Sequence, residues 1–309
     1  MSTQTLDPNP WAATIKMKNV ALPQAIFGAD PIEFHEKFNR APFQFTHHLA
    51  GHPLFELPAL LELSKTLPEG DIYYDSGDIK VGQRWDEVPR TQLSIDQLID
   101  RIENAGAWIL LKKTNRDPRY AAILDQALAE AGRMVGPAFP PRMKMRSGVV
   151  LITSPNRVSS YHIDPDCNYL CQIQGEKVIH VFDRYDREML PEEELERFWA
   201  FDKNAAIYKE RFQSRAFSYE LKPGVGVHMP VNAPHWVQNR NNISVTLAMI
   251  FQFPESVLGN VYRANHFLRK LGIKPRPPGS SRVGDKLKAF AMGSAIGARD
   301  TVKRVLRRG

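Results

Sequence analysis

Ser159 to Lys177 reads S-S-Y-H-I-D-P-D-C-N-Y-L-C-Q-I-Q-G-E-K, and its centre is His162-Ile163-Asp164. In an extended strand, residues i and i+2 point to the same face, so one imidazole and one carboxylate can aim at a single point. Pro165 cannot donate to a ladder and suits a strand end. A regular strand over Ser159–Gln174 is expected, joined at Gly175 to a second over Glu176–Phe182. An isolated H-x-D pair is weak, because a surface Asp beside a core or capping His gives the same pattern.

A second stretch, Lys222 to Val237, reads K-P-G-V-G-V-H-M-P-V-N-A-P-H-W-V and offers His235. Two histidines and one carboxylate on one face of a metal leave positions open, an arrangement that favours non-haem Fe(II) oxygenases. Around these stretches the chain reads as short strands. Arg142–Ser154 alternates and then turns wholly apolar. Ala216–Leu221, Val225–Met229, His235–Asn239 and Ser244–Phe253 follow, with an acidic helix over Pro191–Phe198 between them. Short strands with Gly/Pro turns and one return helix predict a mainly β fold, a jelly roll of two sheets.

Upstream, residues 1–40 are Pro-punctuated without a strong period, and Phe34–Leu49 reads as extended chain or loop. A helix is expected over Pro58–Leu67 and a strand over Asp71–Asp75. Ser94-Ile-Asp-Gln97 is a capping box that opens a helix ending at Gly106. Ala107–Leu111 is a buried strand, and Pro118–Gly132 a second helix. The Pro140-Pro141 pair marks the boundary of a mixed helix-and-strand part, 1–140, from the core, 141–254. His47 and His48 read as surface or core histidines, and His180 as structural.

Beyond Pro254 the chain turns helical and basic. Ser256 to Gly309 holds thirteen Lys/Arg and two Asp/Glu, +11, so the rest of a chain of net charge +7 carries 7 − 11 = −4. This extension, 255–309, has a helix over Val257–Leu271, a Pro-rich link, and an amphipathic basic helix over Asp285–Arg308. It can be a solvated face, a homodimer element packed through Phe290 and Val302, or a docking site for an acidic partner or membrane surface. No nucleic-acid motif is present. No run of eighteen apolar residues exists, so no transmembrane segment is expected, and the first residues lack a secretory pattern. Two cysteines, Cys167 and Cys171, are too few for a disulfide framework and fit a reducing cytoplasm. They read as packing residues rather than ligands.

The order of these motifs resembles the Jumonji-C and cupin-like hydroxylases, nearest the asparaginyl hydroxylase that inhibits the hypoxia-inducible factor. A hydroxyl residue (Ser159), H-x-D (His162, Asp164), an Asn (Asn168), a Q-I-x-G turn (Gln172–Gly175) and a Lys (Lys177) occur in the family's order. So do Pro223-Gly224, an apolar strand, Pro230 and His235. The resemblance spans Val149–Phe253 and implies a double-stranded β-helix. It implies Fe(II) ligands His162, Asp164 and His235, and 2-oxoglutarate contacts from Lys177 and Ser159, with Asn168 near the same pocket. The implied reaction uses O2 to hydroxylate a C–H bond, of a peptide or protein side chain in the nearest subgroup. A small-molecule hydroxylase, an N-methyl demethylase and a redox-inert metal-binding cupin are the competing readings. The chain departs from that subgroup in lacking an Asn on its last core strand, in His228 and in Ser159 for Thr. His228 is either close to the pocket or plain packing, and Tyr161 and Trp236, beside the ligands, are expected to wall the pocket.

Overall fold

The computed structural model describes residues 21–306 apart from 29, 90, 142, 144 and 254–256; the side chains of 257 and 298–306 lie outside it as well. The expected strand start at Arg142 and the dimer residue Val302 are thus outside the described residues. Asp30 opens the first element. Its carboxylate accepts the Ile32 N–H, and Pro31 takes the first helical position, giving helix α1, Pro31–Lys37. The first four residues expected as extended chain, Phe34 to Lys37, are therefore helical. Strand β1 (Phe43–Thr46), helix α2 (Leu57–Thr66) and strand β2 (Ile72–Ser76) follow.

The capping box forms as read. Ser94 Oγ accepts the Gln97 N–H at 3.3 Å, the Gln97 side chain accepts the Ser94 N–H at 3.0 Å, and helix α3 runs Ile95–Asp100. Strand β3 (Ala107–Lys112) leads to helix α4 (Pro118–Val135), which passes through Gly132 and stops at Gly136, where φ is +70°. The core strands are β4 (Met145–Thr153), β5 (Val158–His162), β6 (Cys167–Gln174) and β7 (Lys177–Val181). Helix α5 (Glu192–Trp199) separates them from β8 (Phe217–Leu221), β9 (Val225–Met229), β10 (His235–Asn239) and β11 (Ser244–Gln252). Helices α6 (Val257–Lys270) and α7 (Arg282–Leu306) close the chain.

Two antiparallel sheets form the jelly roll. One has seven strands in the order β1-β9-β6-β11-β4-β3-β2, the other four in the order β5-β10-β7-β8. Strands from before residue 140 share the larger sheet: β1 pairs with β9, and β3 with β4.

The expected single strand over Ser159–Gln174 is two strands in two sheets. The chain leaves β5 at His162, turns through Ile163–Asp166 and enters β6 at Cys167. Pro165 sits in that turn, where its missing N–H costs no ladder bond. The crossing sorts the side chains of β6. Cys167, Tyr169, Cys171 and Ile173 face an outer core with Phe34, Phe43 and Phe251. Leu170 faces the inner core with Val149, Ile179 and Val227. Both cysteines are free and buried in the outer core, and burial raises their thiols well above the ordinary value.

A buried ion pair fixes the end of the roll. Arg157, from the turn before β5, meets Asp75 of β2, and its Nη1 donates to the Gly77 carbonyl at 3.1 Å. Desolvation drives the carboxylate up and the guanidinium down, so each charge depends on the other. Replacing one partner of such a pair leaves an uncompensated buried charge. Asp75→Ala should therefore lower stability by ~3–5 kcal/mol in urea unfolding, and a loss below ~1 kcal/mol would show that Arg157 escapes to solvent.

Candidate metal centre

The antiparallel pairing of β5 with β10 sets His162 directly across from His235. The register then shifts, so that Ser160 and Tyr161 together oppose Trp236, and Ser159 pairs with Val237. In a regular strand, residues three apart point to opposite faces. The bulge removes one step and lets both Ser159 and His162 face the space between the sheets. Asp164 lies just past the strand end, and its carbonyl accepts the Asn232 N–H at 2.9 Å. The loop that carries His235 is thereby tied to the loop that carries Asp164.

Each imidazole is fixed by its own backbone. His162 Nδ1 donates to the Ser160 carbonyl at 2.6 Å, and His235 Nδ1 to the Ala233 carbonyl at 2.9 Å. Both Nε2 lone pairs are left free, the tautomer a metal ligand needs. They approach Asp164 Oδ2 at 3.8 Å (His162) and 3.7 Å (His235), too long for hydrogen bonds. Two donors each ~2.1 Å from one ion can be at most ~4.2 Å apart, so both separations suit a shared cation. Burial, with His162 alongside, holds His235 down at about 4, so the ring is neutral at pH 7. His162, Asp164 and His235 offer three ligand atoms to one point, and that donor set fits a divalent transition metal.

The centre opens on a cavity of about 470 Å³. Ser159, Asn168 and Lys177 line it, as do Leu170 and Ile179. Lys177 owes its position to a tightly tied turn. Gln172 Nε2 donates to the carbonyls of Gln174 and Gly175 and to Ser244 Oγ, while its Oε1 accepts from Thr246 Oγ1. Gly175 turns at φ +71°, and a Cβ there would lie 2.1 Å from the Ile243 carbonyl oxygen. From that turn, alternation along β7 points Lys177 and Ile179 inward. Lys177 is only 5% exposed, and its ammonium has no hydrogen bond or ion pair among the described residues. Desolvation alone pulls it down to about 7. A buried cation without a partner, facing a cavity, fits an anionic ligand.

The other expected pocket residues lie elsewhere. His228 is on the outer face of β9, stacked on Phe38 at 5.5 Å and close to Tyr169 at 4.8 Å. Its Nε2 accepts the Asn39 N–H, and burial keeps it neutral, at about 3. It is packing, because its neighbours Val227 and Met229 take the inner face. Tyr161 is swung out by the bulge and packs on Phe182, 5.8 Å away. Trp236 lies on the outer face of β10, stacked on His180 at 4.1 Å, with its Nε1 donating to Gln213.

The pocket's aromatic walls come from the first 140 residues. Trp85 sets its ring edge-on to His162 at 5.5 Å and meets Trp108 at 5.1 Å. Trp108, Leu110 and Lys112 alternate along β3, and all line the cavity. The strand itself was expected but its facing was not, and Trp85, which opens a short 3-10 helix, Trp85–Glu87, carried no signal. Asp166 also lines the cavity. Burial, with Asp164 beside it, pushes its carboxyl up to about 7, and Gln252 Nε2 donates to it at 2.7 Å.

No protein-family model matches the sequence, and no curated protein does. Solved structures do match. The X-ray structure of Escherichia coli ycfD aligns at 14% identity and TM-score 0.50, over 87% of this chain and 68% of that one. A crystal structure of Escherichia coli ribosomal oxygenase YcfD aligns at 15% and 0.48, over 90% and 67%. YcfD in complex with cobalt and 2-oxoglutarate aligns at 16% and 0.47, over 86% and 66%. At 14% identity the first of these likenesses is one of fold alone.

The unpaired lysine links stability to pH. Below about pH 7 the ammonium is charged in the folded and unfolded chains alike, and the fold bears its full desolvation cost. Above that the folded protein sheds the proton, while the unfolded chain keeps it up to its ordinary 10.5. Stability of the metal-free protein should thus rise between about pH 7 and 10. Lys177→Met should remove that rise and be the more stable form near about pH 6, as chemical denaturation at several pH values would read. A parallel pH dependence in both proteins would place the ammonium in water.

Proposed function

We propose that this chain is an Fe(II) and 2-oxoglutarate dependent oxygenase that hydroxylates a C–H bond of a peptide or protein side chain. One observation carries the reading: three metal-ligand side chains and an unpartnered buried ammonium line the same cavity. The bound iron would supply O2 activation coupled to oxidative decarboxylation of 2-oxoglutarate to succinate and CO2. His162, Asp164 and His235 would hold it. The backbone carbonyls of Ser160 and Ala233 keep the two rings turned and in the correct tautomer.

Lys177 would bind the distal carboxylate of 2-oxoglutarate. Cross-strand register puts it opposite Asn239, four residues along β10 from His235. That is a rise of ~13 Å along the strand, room for a small diacid between the two side chains. Binding an anion would also restore the proton on Lys177 and turn a desolvated charge into a charge-assisted hydrogen bond. Ser159, on the same wall as His162, can donate a hydrogen bond from its hydroxyl to the same ligand. Leu170, Ile179 and Val237 keep water from the reacting centre, and Trp85 and Trp108 wall the side of His162.

The peptide or protein substrate rests on the order of motifs from Ser159 to Lys177, which resembles the asparaginyl hydroxylase subgroup. The cavity's size favours a second reading. A volume of about 470 Å³ is typical of small-molecule sites, so a metabolite hydroxylase on the same scaffold is the runner-up. Nothing in the structure favours N-methyl demethylation. A redox-inert cupin leaves the buried ammonium of Lys177 without a purpose.

With Fe(II), 2-oxoglutarate and O2, the wild-type protein should form succinate, detected by NMR. His162→Ala, Asp164→Ala and His235→Ala should each lower that rate by about 100-fold or more and abolish the visible absorption of a cobalt(II) titration. Near wild-type turnover in any of them would remove that residue from the ligand set. Lys177→Met should raise KM for 2-oxoglutarate by roughly 10–150-fold, the equivalent of ~1.5–3 kcal/mol for a charged hydrogen bond. Screening peptides against metabolites for stimulated turnover separates the two substrate classes.

A further inference from the structure

The basic extension presents a surface that the oxygenase site does not use. α6 and α7 form an antiparallel hairpin: Lys288 Nζ donates to Asn265 Oδ1 at 2.7 Å, and Asn265 Nδ2 to the Arg276 carbonyl at 3.1 Å. The inner side of α6 is anchored to α5, where Arg269 reaches Glu196 at 2.8 Å and Glu193 at 3.0 Å. The outer side of α7 is different. Val283, Leu287 and Phe290 are 70%, 65% and 75% exposed at positions i, i+4 and i+7, one helical stripe. A helix of a globular protein normally turns such a stripe to the core. Leu271 and Ile273, in the connection at the same end of the hairpin, are exposed too.

Charge surrounds these apolar groups. Residues 257–297 hold eight Lys/Arg and one acid, Asp285. Asp285 accepts the Gly279 N–H, and Arg263, Arg269 and Lys288 are tied to neighbouring groups. Lys270, Lys274, Arg276, Arg282 and Lys286 are exposed, and none forms an ion pair among the described residues. We propose that this end of the hairpin docks on the surface of a bilayer containing anionic lipid. Val283, Leu287 and Phe290 would enter the headgroup–acyl boundary while the cations meet lipid phosphates, their methylene stems lying along the apolar layer. Charge complementarity selects this occupant over a second copy of the chain, whose matching patch would bring like charges face to face. The inference is independent of the reading of the metal centre.

The test is sedimentation of the full chain with vesicles of phosphatidylcholine alone and of phosphatidylcholine mixed with phosphatidylglycerol, at low and high salt. Binding should be at least about tenfold tighter to the anionic vesicles and weaken with salt. The doubly substituted Leu287→Glu, Phe290→Glu protein should lose it while keeping its circular dichroism, and Lys274→Glu with Lys286→Glu should weaken it. Equal affinity for both vesicles, or none for the anionic ones, would overturn the proposal. So would light scattering that shows a dimer which Leu287→Glu, Phe290→Glu dissociates, since the stripe would then face a second copy. Anionic-vesicle binding that the double substitution leaves intact would also reject this surface.

Discussion

The hydrogen-bonded pairing of β5 with β10 is the constraint on which the centre of this protein depends. It sets His162 and His235, far apart in sequence, directly across from each other. The bulge beside that pair turns Ser159 to the same side and sends Tyr161 into a separate packing cluster. The Asn232 N–H to Asp164 carbonyl bond then ties the third member. No side chain needs to be strained to converge, because backbone register has done the positioning. Sites supported by strands in this way are held more precisely than sites borne on loops alone.

Lys177 marks where the fold gives up stability. A buried ammonium without a counter-charge is among the least favourable groups a core can hold. Around it the chain is locally consistent. Gln172 satisfies two turn carbonyls and two hydroxyl groups, and Gly175 fits where a Cβ would collide with backbone. One local rule is thus broken within a frame that is otherwise well satisfied.

Much of this was legible in the sequence, and the failures have physical causes. The strands of the core, the capping box at Ser94 and the turn glycine announced themselves through period and punctuation. His162 and Asp164 were visible as an i, i+2 pair, while His235 and Lys177 stood out only because the order of motifs around them resembles a known family. What the sequence did not show was which face each strand turns inward. His228 looks like a pocket residue because it shares the apolar strand that precedes His235, yet alternation along β9 gives the inner face to Val227 and Met229. Tyr161 and Trp236 flank ligands in sequence and therefore point away from them, the rule for neighbours on a strand. The split of Ser159–Gln174 into two sheets was signalled by Pro165 alone. Trp85 and Trp108 reach the cavity through tertiary packing and the addition of β3 to the sheet, and no local motif reports that.

The placement of β1 has a consequence for how the chain acquires its shape. This strand, at residues 43–46, forms its ladder with β9, at residues 225–229. On a ribosome the earlier partner emerges long before the later one and must wait with its edge unsatisfied. Such long-range pairings raise contact order, slow folding and leave hydrophobic strands open to other molecules meanwhile. The short length of β1, four residues with polar Gln44 and Thr46 on its outward side, limits that hazard.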